Sequence, residues 1–399
     1  MGKTSAHRQN QKTGSSVSSL LSSKVLQVLL MLCAISFVYL FYSFATTKED
    51  FFTKSKAMYE AEKQDSIKQN ANLKSDKNRQ GEETMQQKQY QAAKMQSDKH
   101  SQEFHKDFHA LFIFTKVQSN PKLKDKFTIV FGSLFEHAAF EDDETFHIHF
   151  VCDQEGREFA EEYLKNHVAH PKFSFKVHFH NSASVAKEVF PQVQAIQTML
   201  GQKHPYYEDT IFFISLVLHK ILPDTVHRLV QLDLDLKFTV NIKDLWKEFS
   251  YFKQDNVIGL AHENQPVYRH LLWKYRQENS ETTVGNPAAS GNPGFNSGVI
   301  LLHLDRIRSS YLYNSYLDIN KLQEVVQKYS FKGHLGDQDF YSLLSFESPE
   351  LFFTLECVWN RQLCQWWKNK GYQDIFDQYF HCSGAIKIWH GNCDTPIPV

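Results

Sequence analysis

Two aspartates one residue apart, Asp233 and Asp235, close the apolar run VQLDLDLK at residues 230–237. Leu229, Val230, Leu232 and Leu234 suit a strand covered on both faces, and side chains i and i+2 of a strand leave the same face. The expectation is a buried strand whose end presents two carboxylates side by side, close enough to share one divalent cation. Hard oxygen ligands suit Mn²⁺ or Mg²⁺ holding a diphosphate. The carboxyl ends of strands are also where open α/β sheets bind their ligands. The triplet alone also suits a strand that simply runs into a polar turn.

Three later stretches carry residues of the same kind of use. NPAASGNPGFNSGVILLHL at 286–304 is a Gly/Pro-rich loop entering an apolar strand. There Gly294 and Gly298 let the backbone approach a ligand or another strand closely, and Asn296 and Ser297 offer small hydrogen-bonding groups suited to hydroxyls. HLGDQDF at 334–340 places Asp337, Gln338 and Asp339 after Gly336, at a helix start, where acidic residues also serve as caps. Near the end of the chain Lys387 and His390 bracket a short strand, IKIWHG, closed by Gly391. A cation, an imidazole and an exposed amide there would meet a diphosphate.

These residues need a scaffold, and the chain from about residue 108 supplies one. HALFIFTK (109–116) and KFTIVFGSLF (126–135) are apolar runs, and FHIHFVCD (146–153) and FSFKVHFH (173–180) alternate as strands. Helical spacing occupies 155–168, 183–200, 208–222 and 242–249, and VIGLAHE (257–263) is a further strand. Strands alternating with helices predict a mainly parallel, Rossmann-like α/β sheet flanked by helices in a single domain. His147, His149, His178 and His180 fall at strand spacing without a carboxylate or cysteine at ligand spacing, and are read as strand positions rather than a zinc site.

Before the domain the character changes. Residues 1–24 are polar and basic, 25–45 (VLQVLLMLCAISFVYLFYSFA) are apolar, and 46–107 are rich in Lys, Gln, Glu, Asp and Ser. At 1.5 Å per residue the apolar run reaches about 30 Å, one hydrocarbon core. Lys3, Arg8, Lys12 and Lys24 precede it, which places the N-terminus in the cytosol and the rest across the membrane. We expect a cytosolic tail (1–24), a signal anchor (25–45), a stem (46–107) and a lumenal domain (108–399). The formal net charge of −1 gives no sign of a nucleic-acid partner. Cys357, Cys364, Cys382 and Cys393 form an even set in that lumenal part, so two disulfides are expected, in any of three pairings.

D-x-D, FNSG, GDQD and K-x-x-H-G, in this order after a type II anchor, are together far more specific than any one of them. The chain from 108 onward resembles the retaining, glycogenin-like glycosyltransferases of the A-type fold. LDLDLKF, GFNSGV, GHLGDQDF, WNRQLCQWW and HGNCDTPIP resemble the members that extend O-linked xylosyl-glucose on epidermal-growth-factor-like repeats, such as those of Notch. The resemblance implies UDP-xylose as donor and Mn²⁺, or Mg²⁺ in its place, held by Asp233, Asp235 and His390. It puts Phe114 and Thr115 at the uracil and ribose, and Leu234 where the backbone faces the nucleotide. Lys387 and Gly391 then meet the diphosphate, and Asn296, Ser297, Asp337 and Gln338 surround the donor sugar. Gln338 would lie behind the anomeric carbon; as a neutral amide it is a poor nucleophile, which favours same-face attack over double displacement. The ending KIWHGN departs from the H-x-x-G-x-x-K-P-W of bacterial relatives, which leaves the choice of lysine open. The acceptor would lie over Arg269, Trp366 and Trp367. The resemblance also implies Cys357–Cys382 and Cys364–Cys393 pairing, and an endoplasmic reticulum membrane location, or the Golgi.

Other classes predict other residues. A membrane-anchored lectin or pseudo-enzyme would have lost the metal set, which is intact here. A glycoside hydrolase needs two carboxylates flanking the bond and gives His390 no role. A glucoside xylosyltransferase or another UDP-sugar transferase on the same scaffold differs only in the room it leaves around the sugars.

Overall fold

In the computed structural model, which describes residues 106–168, 172–200 and 210–398, the run at 109–116 becomes strand β1 (Asp107–Phe114). Its even-numbered side chains, Phe108, Ala110, Phe112 and Phe114, enter one core with Phe127, Val130, Phe131 and Leu134 of helix α1 (Lys122–His137) and Ala160 and Leu164 of α2 (Gln154–His167). Leu111 enters a second core with Val185, Val189, Val193 and Ile196 of α3 (Ser182–Leu200). Period-two alternation thus feeds two hydrophobic layers, one on each face. KFTIVFGSLF is helix because its apolar residues fall at i, i+3, i+4 and i+7. Phe127 stacks on Phe131 with ring centroids 4.3 Å apart, and Phe131 lies 4.7 Å from Phe112. Burying each such ring contributes roughly 1.5–3 kcal/mol.

β1 pairs in parallel with β2 (Thr145–Cys152), and β2 in parallel with β3 (Phe175–Asn181). On its other side β1 pairs in parallel with β4 (Leu229–Leu232). The sheet order is β3-β2-β1-β4-β7-β6-β8, where β6 is Ile258–His262, β7 Phe295–Leu302 and β8 Phe352–Leu355. Only β7 runs antiparallel to its neighbours. The mainly parallel, helix-flanked α/β sheet expected from the sequence is the observed architecture.

Two elements differ from expectation. VQLDLDLK is not one strand: β4 stops at Leu232, and β5 (Leu236–Phe238) joins a second, three-stranded sheet ordered β5-β10-β9. The Asp233 amide still donates to the Gly298 carbonyl of β7 at 3.0 Å, and the chain then leaves the large sheet. The segment expected to be helical over 208–222 is a 3₁₀ helix, Thr210–Val217, followed by one α turn, Leu218–Ile221.

The small sheet is what carries the C-terminal residues to the aspartates. β10 (Ile388–His390) lies antiparallel to β5, with His390 opposite Leu236, and parallel to β9 (Arg361–Gln362). Disulfides Cys357–Cys382 and Cys364–Cys393 brace this region, with Cα atoms 5.8 and 5.6 Å apart. That is the pairing the resemblance implied. The strand histidines hydrogen-bond to one another, His109 to His149 at 3.0 Å and His147 to His178 at 3.0 Å. Burial pushes His109 down to about 3, so it is neutral. They form no metal cluster among the described residues.

The expected cytosolic tail (1–24), anchor (25–45) and stem up to residue 105 lie outside the described residues. Among the described residues no helix is long and apolar enough to cross a membrane.

Candidate active site

Where β4 ends and β7 begins, the large sheet opens a cavity of about 540 Å³, a size suited to a nucleotide sugar. Its floor is the turn Asp233–Leu234–Asp235 together with His390. Asn296, Ser297 and Gly298 from the start of β7 form one wall, and Asp337 and Gln338 from the first turn of α6 (Asp337–Glu347) form another. After β6 come helices α4 (Val267–Leu271), whose Val267 lines the cavity, and α5 (Trp273–Glu278).

Asp233, Asp235 and His390 are the one group among the described residues able to hold a metal ion; one ligand atom from each lies within 4.8 Å of the others. His390 Nε2 is 3.3 Å from Asp235 Oδ1 and 3.6 Å from Asp233 Oδ2. An octahedral ion with bonds of about 2.1 Å spaces adjacent ligands by about 3 Å, so the residues fit a hard divalent cation. Lys126 of α1 reaches Asp235 Oδ2 at 3.2 Å and Asp394 Oδ1 at 2.8 Å.

The electrostatics follow from two carboxylates sharing one site. Asp233 has 51% of its side chain open to the cavity, yet that cavity is walled by protein. Burial and the neighbouring Asp235 push its carboxyl up to about 7. Burial also opposes ionisation of Asp235, but His390 and Lys126 outweigh it and hold this carboxyl below its usual range. Burial lowers His390, and Asp235 more than compensates, so the imidazole is raised. Without a metal the site therefore holds protons that a cation must displace. Divalent-cation affinity is expected to fall below about pH 7, approaching about ten-fold per pH unit, because Asp233 must lose its proton first. Calorimetric titrations at about pH 6 and pH 8 check this; equal affinities would show that Asp233 carries no such proton.

The two walls are tied to each other. Gln338 Oε1 accepts from Asn296 Nδ2 at 3.1 Å and from the Ser297 amide at 3.4 Å. Asp337 accepts from Ser215, and burial raises its carboxyl to about 6. Asp339 turns away from the cavity, accepting from the His334 and Leu335 amides at 2.7 Å each and from the Tyr268 hydroxyl. It organises the loop ahead of α6.

The other expected residues are placed as follows. The Phe114 side chain is fully buried against Phe127, so only its main chain can face a nucleotide. Thr115 Oγ1 bonds Asp153 Oδ2 at 3.3 Å, and does not line the cavity. Lys387 Nζ lies 4.0 Å from the Trp359 ring centroid, outside the cavity lining, whereas Lys126 is in it. The Gly391 amide donates to the Asp235 carbonyl at 2.8 Å, so it secures the metal-ligand turn and is not free for a diphosphate. Arg269 donates to Asn286 at 2.9 Å. Trp366, 62% exposed, and Trp367 do border the cavity, with the Trp367 ring centroid 4.5 Å from that of His270 in a tilted pair.

The sequence reading missed Lys126, Glu263 and Asn360. Glu263 follows β6 at the carboxyl edge of the sheet, a position that could have flagged it. Lys126 lies in a helix and Asn360 in an irregular segment, with no local signal.

Residues 110–393 match the family model described as Glycosyl transferase family 8. Xyloside xylosyltransferase 1 of Mus musculus is 47% identical over 294 residues, covering 73% of this chain and 75% of the relative. The Homo sapiens protein of the same name is 46% identical over the same length. The crystal structure of the mouse protein in its apo form superposes with a TM-score of 0.70 at 46% identity, covering 73% of this chain and all of that one.

Proposed function

The chain belongs to glycosyl transferase family 8, and from that premise we propose that it is a retaining xylosyltransferase. It transfers xylose from UDP-xylose in α-1,3 linkage to the xylose of O-linked xylosyl-glucose on epidermal-growth-factor-like repeats. What carries this reading is the 47% identity over 294 residues to mouse xyloside xylosyltransferase 1, together with a family match over residues 110–393 that includes Asp233, Asp235 and His390. Mn²⁺ is the proposed cation, with Mg²⁺ as substitute. From the apolar run at 25–45 we also propose a type II protein of the endoplasmic reticulum membrane. Protection of the domain from protease in intact microsomes tests that topology.

Asp233, Asp235 and His390 would hold the cation, which when bound neutralises the charge that builds on the departing diphosphate. Asn296, Ser297 and Asp337 present polar groups to the sugar. The Gln338 oxygen already accepts two hydrogen bonds, from Asn296 and Ser297, which further weakens an amide that is a poor nucleophile to begin with. The nearby carboxylates serve the walls: Asp337 accepts from Ser215, and Glu263 Oε2 accepts from Asn296 and Gln338. We therefore favour same-face attack, the leaving oxygen of UDP taking the acceptor's proton. Trp366 and Trp367 are placed to stack on the acceptor.

A donor panel tests the reading. Residues 100–399 are incubated with Mn²⁺ and UDP-xylose, UDP-glucose or UDP-galactose, and with a repeat carrying either xylosyl-glucose or glucose alone. A gain of one pentose only on the xylosylated repeat is expected. Transfer to the glucose-only repeat would make it a glucoside xylosyltransferase, and no transfer with cation still bound would leave a lectin-like protein.

A further inference from the structure

An unbroken line of buried hydrogen bonds joins the metal-ligand histidine to the amide of Gln338, and its directions can be deduced. The Gly298 N–H, which can only donate, meets Asn296 Oδ1 at 3.1 Å. The same oxygen lies 2.9 Å from Asn360, which must therefore offer Nδ2 and turn its own Oδ1 toward His390 Nδ1, 2.8 Å away. A carbonyl oxygen cannot donate, so Nδ1 carries the proton, and in the neutral ring the lone pair is on Nε2, facing Asp233 and Asp235. In the other direction Asn296 Nδ2 donates to Glu263 Oε2 at 3.1 Å as well as to Gln338. The Ser297 N–H marks Gln338 Oε1 as the acceptor, which leaves Gln338 Nε2 to donate to Glu263 Oε2 at 3.2 Å.

Every member of the line is buried. It ends in groups with no choice of polarity: the Gly298 amide can only donate, and the Glu263 carboxylate accepts. No amide between them can flip without facing donor to donor or acceptor to acceptor away from water. Asn296 and Gln338 both meet Glu263 through Oε2.

We propose that Asn360 and Glu263 are positioning residues for the transfer reaction. Asn360 sets the His390 tautomer for cation binding, and Glu263 sets the face that the Gln338 amide presents to the anomeric carbon. The proposal rests on the reading of this cavity as a cation-dependent transferase site. A hydrogen-bonded outer shell commonly changes metal affinity or activity by about 10–100-fold.

The test is calorimetric titration of Mn²⁺ into the domain with saturating UDP, alongside kcat and KM. Asn360→Leu is expected to weaken Mn²⁺ binding by about 10–100-fold, whereas Asn360→Asp keeps an oxygen for Nδ1–H and so keeps Mn²⁺ affinity, but it lowers the melting temperature because a buried acceptor then faces Asn296 Oδ1. Glu263→Leu is expected to leave Mn²⁺ affinity and the donor KM unchanged and to lower kcat about ten-fold, as Gln338→Ala alone does. Glu263→Gln, which still offers an oxygen to both donors, restores it. In a Gln338→Ala background Glu263→Leu adds little, because it acts through the missing amide. A folded Asn360→Leu with wild-type Mn²⁺ affinity would overturn the Asn360 half. Full additivity of Glu263→Leu with Gln338→Ala would overturn the other, and this cycle decides even if Asn360→Leu does not fold. Failure of the wild-type domain to bind Mn²⁺ and UDP would instead sink the underlying reading.

Discussion

Asp235→Ala is expected to lower kcat/KM for xylose transfer by at least about a thousand-fold and to remove the thermal stabilisation that Mn²⁺ with UDP gives the wild type. The Asp235 carboxylate is the meeting point of the site, 3.3 Å from His390 Nε2 and 3.2 Å from Lys126 Nζ. It is also the carboxylate that stays ionised when the pair shares a proton, because His390 and Lys126 face it. Its loss leaves Asp233, whose raised affinity for a proton makes it the weaker cation ligand at neutral pH. Losing one pre-set partner of developing charge costs about 10²–10³ in kcat, and losing most of the cation's hold adds to that. The main chain should stay in place, since the Asp235 carbonyl is held by the Gly391 amide, whatever the side chain. Initial rates over a Mn²⁺ series, with melting curves with and without Mn²⁺ and UDP, make the check. More than about a tenth of wild-type activity at saturating Mn²⁺ would remove Asp235 from the ligand set.

The pairing of this aspartate with His390 shows what the sequence makes legible and where it stops. The continuous apolar run identifies β1, whose two faces are both covered, and alternation identifies β2 and β3. The D-x-D, FNSG, GDQD and H-G signatures locate the cavity because each supplies polar atoms beside an apolar element. The break of the strand at Asp233 was not legible, since it depends on β10 capturing residues 236–238 from some 150 positions away. KFTIVFGSLF could have been read as helix, as Phe127, Val130, Phe131 and Leu134 fall on one helical face.

Side-chain direction is the other limit. Both faces of β1 are apolar, so nothing local tells whether Phe114 points to a nucleotide or, as observed, to the α1 core. Lys387 and Gly391 stand beside the right strand, but one lies on an indole and the other secures a turn. Asn360 becomes visible only once distant segments meet, because a polar residue in an irregular stretch has no signature until its partners are known. The small residues of FNSGV carry the opposite case, where an absent side chain is the functional feature.

Gly298→Ala follows from that absence and should disable the site without altering any atom that touches substrate. A Cβ on residue 298 would stand 2.3 Å from His390 Cε1 and 2.7 Å from its Nδ1, well inside contact distance. The ring cannot back away, because Nδ1 is bonded to Asn360 Oδ1 and the imidazole is buried on every side. Nor can the strand retreat, because the Gly298 carbonyl accepts from the Asp233 amide. Overpacking of this kind costs about 1–3 kcal/mol, so the domain should fold with a lower melting temperature. Its Mn²⁺ affinity and its transfer rate should each fall at least about 100-fold, since outer-shell losses of that size already follow from losing one hydrogen bond. Gly132→Ala on α1 is the control: the added carbon meets only the Tyr163 hydroxyl oxygen at 3.5 Å, and a helix gains roughly 0.5–1 kcal/mol from the change. Adding His390→Ala to Gly298→Ala should restore the melting temperature but not the activity, because the collision is gone while the ligand is missing. A Gly298→Ala enzyme with more than about a tenth of wild-type activity would mean that the imidazole moves freely, and the rigidity assigned to this corner of the cavity would be wrong.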